Sequence, residues 1–239
     1  MGNESIELSF LSIFTLITFF IFLFVSKYSF KFKSGILLDE DFSKPQAFHH
    51  SAISRSGGIA GVISINIFLI IYYLIYSKFL LDYFLISNLM FLVGFLDDIK
   101  IKISPSKRLV LMILFLLILI HFIPIKIFNI DVPVLSSFLK NDIFSSLFLL
   151  LCFLFVVNGA NLIDGFNGLL AINLIIINII LTYINVQNAN IELSFFIIGQ
   201  IVILLSFLLF NFPNAKIFLG DSGSYLFGSI TALNVVMTN

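Results

Sequence analysis

The chain has 239 residues, 60% of them hydrophobic and 11% charged. A soluble domain carries about 45–50% apolar and ~25% charged residues, so a soluble fold is excluded; disorder, which needs low hydrophobicity and high charge, is excluded too. Lys plus Arg and Asp plus Glu balance at 13 each, which gives no basis for nucleic-acid binding. The lone Cys152 rules out an intrachain disulfide and a cysteine metal cluster.

A membrane-crossing helix needs about 20 mostly apolar residues, so this length holds about eight. Apolar runs fall at 6–25, 57–76, 83–96, 109–125, 143–157, 168–184, 193–212 and 222–238. The first is long for the core of a cleavable signal peptide. Glu4 and Glu7 stand where a basic start belongs, so it reads as a retained helix. The expectation is an all-α, polytopic membrane protein of about eight transmembrane helices, forming one domain over 1–239. Cys152, inside the fifth run, is expected to pack as a small hydrophobe. No internal repeat is visible, which argues against a transporter of duplicated halves.

In this scheme loops 26–56, 97–108, 158–167 and 213–221 share one side. They hold Lys27, Lys31, Lys33, Lys44, Arg55, Lys100, Lys102, Lys107, Arg108 and Lys216; the other side holds Lys78, Lys126 and Lys140. Lys and Arg accumulate in cytoplasmic loops, which puts the first set inside and the N-terminus outside. Asp97, Asp98, Asp164 and Asp221 fall on that same face, beside glycine-rich turns. A transporter would place its ionisable groups near the bilayer midplane instead.

The polar blocks follow in chain order. The stretch His49-His50-Ser51-Ala52-Ile53-Ser54-Arg55-Ser56-Gly57-Gly58 is a basic entry to the second run. Arg55 reads either as a phosphate partner or as a positive-inside anchor. Asp97-Asp98 closes the third run, with Lys100 and Lys102 following. The pair is either a solvated helix end or part of a Mg²⁺ site, since Mg²⁺ takes one or two carboxylates plus substrate phosphates. His121 is expected to pack or hydrogen-bond. Asn66, Asn88, Asn173, Asn178 and Gln200 lie inside runs and are expected to bond between helices.

Asn158, Asn161 and Asp164 recur at i, i+3, i+6. If the fifth helix continues this far, neighbouring members share a face. Gly165 and Gly168 permit positive φ and close backbone approach. Such a surface suits a sugar, a base or metal-bound water; a capped turn is the plainer reading. Phe218-Leu219-Gly220-Asp221-Ser222-Gly223-Ser224 opens the last run. A helix start offers N–H groups to a phosphate, to which Asp221 could bring a metal, or Asp221 or Ser222 simply caps it. Together these blocks point to Mg²⁺-dependent chemistry on a phosphate or nucleotide.

These blocks, in this order, resemble the polyprenyl-phosphate N-acetylhexosamine-1-phosphate transferases, glycosyltransferase family 4. The resemblance runs from about His49 to Ser224. It implies attack by a polyprenyl phosphate, undecaprenyl phosphate in a bacterium, on the sugar-bearing phosphate of a UDP-N-acetylhexosamine. UMP is released, and cell-wall or lipopolysaccharide synthesis is primed at the inner face of the cytoplasmic membrane. It implies Mg²⁺, with Mn²⁺ as the alternative, held by Asp221, Asp97, Asp98 and Asp164. These four form the implied catalytic set, with Asp97 as the base. It also implies substrate contacts by Arg55, Lys100, Lys102, Arg108, Asn158, Asn161, Gly165, Asn167, Asn211 and Phe218. UDP-N-acetylglucosamine is the default donor, because the Asn161–Gly168 block looks closer to the surface-polysaccharide branch than to the branch that takes a MurNAc-pentapeptide. Homodimers are common in the family.

Three departures stand out. Asn167 replaces a frequent acid, Ala52 and Ser54 replace frequent prolines, and no histidine follows His121, whereas the family carries a His-rich loop further on. The chain is therefore expected to be a short relative, to be completed by a second chain, or to be a truncated, inactive scaffold.

Overall fold

The computed structural model describes residues 2–28, 37–39, 52–101, 103–123, 130 and 132–238. Its described helices are α1 (Gly2–Tyr28), α2 (Gly57–Tyr76), α3 (Leu81–Asp98), α4 (Pro105–Phe122), α5 (Pro133–Leu139), α6 (Asp142–Ile163), α7 (Leu169–Gln187), α8 (Ile191–Asn211) and α9 (Gly220–Thr238). Two short antiparallel strands, β1 (Leu38–Asp39) and β2 (Ile53–Ser54), precede α2. Among the described residues the fold is all-α apart from this pair. Each apolar run, over those same described residues, falls largely within a long helix, and the short α5 is an addition.

Among the described residues, six helices are long and apolar enough to cross a membrane: α1 from Glu7, α2, α4, α6, α7 and α8. The eight-span expectation included α3 and α9 as well. These two are the more polar pair. α3 carries Asp82, Asn88, Asp97 and Asp98, and α9 carries Asp221, five hydroxyl residues before Ala232, and Asn234. Both can be polar because neighbours enclose much of their surface. Every α9 residue from Ser222 to Asn234 is buried, and α9 packs on α2, α3, α6, α7 and α8. The outward faces of the other helices expose large apolar side chains such as Phe20, Leu117, Phe155, Ile179 and Leu209. Lipid, not water, satisfies such a surface, and the backbone polar groups close within each helix.

Local sequence explains several boundaries. Pro105 at the first turn starts α4, where a missing N–H has no consequence. The Asn141 side chain accepts from the N–H groups of Ile143 and Phe144 and caps α6. Lys100, at φ 58°, turns the chain out of α3. Several helices also run further at one end than the apolar runs. Asn158 and Asn161 lie inside α6, Arg108 in the early turns of α4, and Asp221 in the first turn of α9, not in loops. Of the two glycines expected to use positive φ in the turn after α6, only Gly168 does, at 74°.

Helix-to-helix polar contacts follow the expectation in part. Asn66 and Asn88 exchange hydrogen bonds at 3.1 Å across α2 and α3. Asn178 and Gln200 both meet Asn234 of α9. Asn173 instead bonds the Leu169 carbonyl in its own helix. His121 is exposed and stands edge-on to Phe122. Cys152 is half-buried.

Candidate active site

α3 ends where α9 begins, and their backbones touch. A Cβ on Gly94 would stand 2.3 Å from the Asp221 carbonyl oxygen, so only glycine fits there. This contact carries Asp98 to the start of α9. Asp98 is 2% exposed. Its Oδ1 accepts from the Asp221 N–H at 3.0 Å, and its Oδ2 from the Ser222 N–H at 2.9 Å. Those donors have no partner inside their own helix and sit at the positive end of its dipole. Gly220 makes room for the carboxylate: its φ is 75°, and a Cβ would lie 2.6 Å from Asp98 Oδ2. Two expectations change here. The helix is capped by neither Asp221 nor Ser222, and these two N–H groups already have the Asp98 carboxyl oxygens as acceptors.

The neighbouring acid has a different partner. One nitrogen of Arg108, Nη1, stands 2.6 Å from Asp221 Oδ2 and 3.2 Å from Asp97 Oδ2. Arg55 approaches from the β1–β2 side. Its Nη2 and Nε both donate to Asp39 Oδ2, at 2.8 and 3.2 Å, and its Nη1 lies 4.0 Å from Asp98 Oδ1. Its backbone N–H donates to the Leu37 carbonyl. Asp164 follows α6 and feels the charges of Asp221 and Asp98. Asn161 reaches α9 by donating to Ser224 Oγ at 2.9 Å.

Two guanidiniums thus stand among five carboxylates. Burial pushes both Asp98 and Asp164 up to about 7. At Asp98 the Ser222 hydrogen bonds and Arg55 pull down while Asp221 pushes up. At Asp164, Asp221 and Asp98 push up and Arg55 opposes. Asp97 is also raised, by burial and then by Asp221, against the pull of Arg108. Negative charge is under-compensated here, a condition that favours a cation or a proton.

Oxygen donors of this kind suit a hard cation. Among the described residues, however, no three of His, Cys, Asp or Glu are arranged to hold one ion. The four-carboxylate ligand set expected from the sequence is not assembled, and capping engages both oxygens of Asp98. What fits is a smaller site. Asp97 and Asp221 already share one cationic nitrogen through their Oδ2 atoms. Two carboxylates with substrate phosphates and water are enough for Mg²⁺.

The remaining expected residues are placed as follows. Asn158 donates to the Leu154 carbonyl of its own helix. The exposed Asn167 donates to the Pro213 carbonyl at 2.9 Å. Gly165 lies in the turn beside it, its N–H on the Ile163 carbonyl. Asn211 is 3% exposed; it accepts from the Gly168 N–H and donates to the Ile217 carbonyl, tying the start of α7 to the approach to α9. Phe218 donates its N–H to the Ser54 carbonyl and accepts from the Gly57 N–H, which stitches this approach to β2 and α2. Lys100 is exposed beyond α3. Lys102, His49 and His50 lie outside the described residues.

Sequence reading missed Asp39 as the partner of Arg55, and Ser222 and Ser224 as contacts of Asp98 and Asn161. The serines had a signal: each lies within one helical turn of Asp221. Asp39 had none, because a two-residue strand leaves no periodicity.

The apolar helices, the lipid-suited outer surface and the partly buried acidic junction define a multi-pass membrane protein with a polar site at one end of its bundle. Residues 80–239 match the family model described as glycosyl transferase family 4, and the chain belongs to that family. Among its relatives, the phospho-N-acetylmuramoyl-pentapeptide-transferase of Clostridium beijerinckii is 29% identical over 158 residues, 61% of this chain and 48% of that protein. The protein of the same name from Dictyoglomus turgidum is 31% identical over 235 residues, 93% of this chain and 73% of its own. That from Streptococcus sanguinis is 34% identical over 154 residues, 59% of this chain and 45% of its own. Apart from the Dictyoglomus protein, the chain spans about half the length of these relatives. All three names specify the MurNAc-pentapeptide branch, so they lend no support to the expected surface-polysaccharide branch.

Proposed function

We propose that the chain transfers an N-acetylhexosamine-1-phosphate from a UDP-sugar to a polyprenyl phosphate, undecaprenyl phosphate in a bacterium. An acceptor phosphate oxygen bonds to the sugar-bearing phosphorus, and the bond to the UMP oxygen breaks. The observation that supports this reading best is the junction itself: Arg55, Arg108 and Asp97, Asp98, Asp164 and Asp221 meet from distant parts of the chain, with negative charge in surplus.

Each residue then has a task. Asp97 and Asp221 would hold Mg²⁺, which offsets charge on the diphosphate. Arg55 and Arg108 orient phosphate oxygens. Asp98 keeps the α9 start, and with it Asp221, in register with α3. The second proton of a phosphate monoester leaves near pH 6, so a carboxylate such as Asp97 is a sufficient base. Gly165, Asn167 and Phe218 flank the uridine, with Asn211 acting behind them by fixing Gly168 and Ile217. The site faces the cytoplasm, and the N-terminus lies outside.

The test is UMP release by the purified chain in detergent, with undecaprenyl phosphate, Mg²⁺ and a donor panel. The panel holds UDP-N-acetylglucosamine, UDP-N-acetylgalactosamine and UDP-MurNAc-pentapeptide, with Asp221→Asn as control. Release with one donor, lost in the control, establishes the reaction and names the branch. No release from folded protein with any donor favours an inactive scaffold or a subunit that needs a second chain.

A further inference from the structure

We infer that Arg108 and a divalent cation compete for the same two carboxylate oxygens, so that cation binding frees the Arg108 guanidinium to face substrate phosphate. The inference rests on the metal reading above and adds an order of events to it.

The geometry is specific to one nitrogen. Arg108 Nη1 contacts Oδ2 of Asp97 and Oδ2 of Asp221 at once, at 3.2 and 2.6 Å. A hard cation that draws on those oxygens meets a guanidinium already seated between them, and like charges at such a distance repel strongly away from bulk water. The two arginines differ in what holds them. Arg55 is anchored twice on Asp39 and through its backbone to Leu37. Arg108 stands on α4, which packs on α3 and α6, and its side chain crosses from there to α9. The nearest charged or titratable neighbours are Asp97, Asp221 and Tyr225, and both carboxylates belong to the contested pair. A displaced guanidinium keeps its charge and has five donors to offer. A phosphate brought in by the nucleotide or the lipid is the complementary acceptor, and its arrival stabilises the displaced state. Arg108 is in this sense a positioning residue: it holds the two acids apart from other partners until the cation takes them, and then turns to substrate.

The probe is Mn²⁺ alone, with binding to the full chain in detergent read by electron paramagnetic resonance. Arg108→Gln is expected to bind Mn²⁺ about tenfold more tightly than the wild-type protein, the scale of one interaction between close charges. Asp97→Asn is expected to bind more weakly. A purely structural role for Arg108 predicts the reverse for Arg108→Gln, and unchanged or weaker binding overturns the inference. A second measurement needs no variant. Arg55 and Arg108 are the two arginines of the chain, so phenylglyoxal labelling followed by mass spectrometry compares them directly. Mn²⁺ is expected to speed labelling of Arg108 relative to Arg55 several-fold. Protection of Arg108, or no change, overturns the inference even if Arg108→Gln fails to fold. Absence of Mn²⁺ binding in wild-type protein, or binding indifferent to Asp97→Asn, instead removes the metal reading and the inference with it.

Discussion

Asp221 and Asn234 stand towards opposite ends of α9; Asp221 is the centre of a partly buried polar group, Asn234 of a fully buried one. Around Asn234 the partners are neutral. Its Nδ2 donates to Asn178 Oδ1 at 3.0 Å and to Gln200 Oε1 at 2.7 Å, and its Oδ1 accepts from Gln200 Nε2 at 3.3 Å. Three amides from α7, α8 and α9 thereby satisfy most of one another's needs; Asn178 Nδ2 is left over. Around Asp221 the partners are ions, and the acids outnumber the guanidiniums paired with them. Neutral amides in an apolar bundle act as glue between helices. Uncompensated charge at such a place is expensive to maintain, and it marks the part of the protein that meets something else.

That contrast can be broken or sharpened by experiment. The largest effect is expected at Asp221. Asp221→Asn should reduce UMP release by about a hundred- to a thousandfold, the loss typical of a missing electrostatic partner in the transition state. Its thermal midpoint in detergent should stay close to that of the wild type. A matching loss of folded protein would turn Asp221 into a structural residue like Asn234. Asp98→Ala comes next, and here stability itself should fall. It strips two buried N–H groups of their acceptor, which costs roughly 2–4 kcal/mol. Thermal unfolding checks this, and Asp98→Asn, which keeps one acceptor oxygen, should lie between.

The third prediction separates the two regions by pH. Asp98 and Asp164 are raised to about 7 in the folded protein, against roughly 4 in an unfolded chain. The folded state therefore binds more protons between these values, and stability falls as pH rises through that window. The stabilising contribution is whole below about pH 4 and lost above about pH 7. In chelator, the thermal midpoint should drop by several degrees from pH 5.5 to pH 8, and Mg²⁺ at pH 8 should restore part of it. The amide group contributes nothing to this slope. The smallest effect belongs to Asn234→Leu, which leaves Asn178 and Gln200 unpaired and should lower stability by about 1–2 kcal/mol. Its pH slope and its UMP release per folded molecule should match the wild type. Replacing all three amides with leucine should be milder than the single change suggests, since no partner is then stranded.

Much of the fold is legible in the sequence. Eight apolar runs correspond to eight long helices, since an apolar run of this length has no water to satisfy its backbone and must close its own hydrogen bonds. Where reading by hydropathy stops short is where helices carry polar side chains. α6 continues through Asn158 and Asn161 to Ile163, and α9 begins with Gly220 and Asp221. α9 is also polar for so long a helix, and protein encloses it from Ser222 to Asn234. The polar blocks of the site are legible as well, as residue types at fixed spacing.

What those blocks do to one another is decided only by the tertiary structure. Asp97 and Asp98 are adjacent and chemically identical. One caps α9, 123 residues away, and the other shares Arg108 with Asp221. Arg55 belongs to Asp39, and Asn211 serves the backbone of Gly168 and Ile217. The sequence alone determined that this chain builds apolar helices and sets acids, amides and glycines at their ends, because periodicity and apolar length act locally. Which acid faces a helix dipole and which faces an arginine depends on the approach of α3 and α9 at Gly94, and local pattern carries no information about a contact between such distant segments.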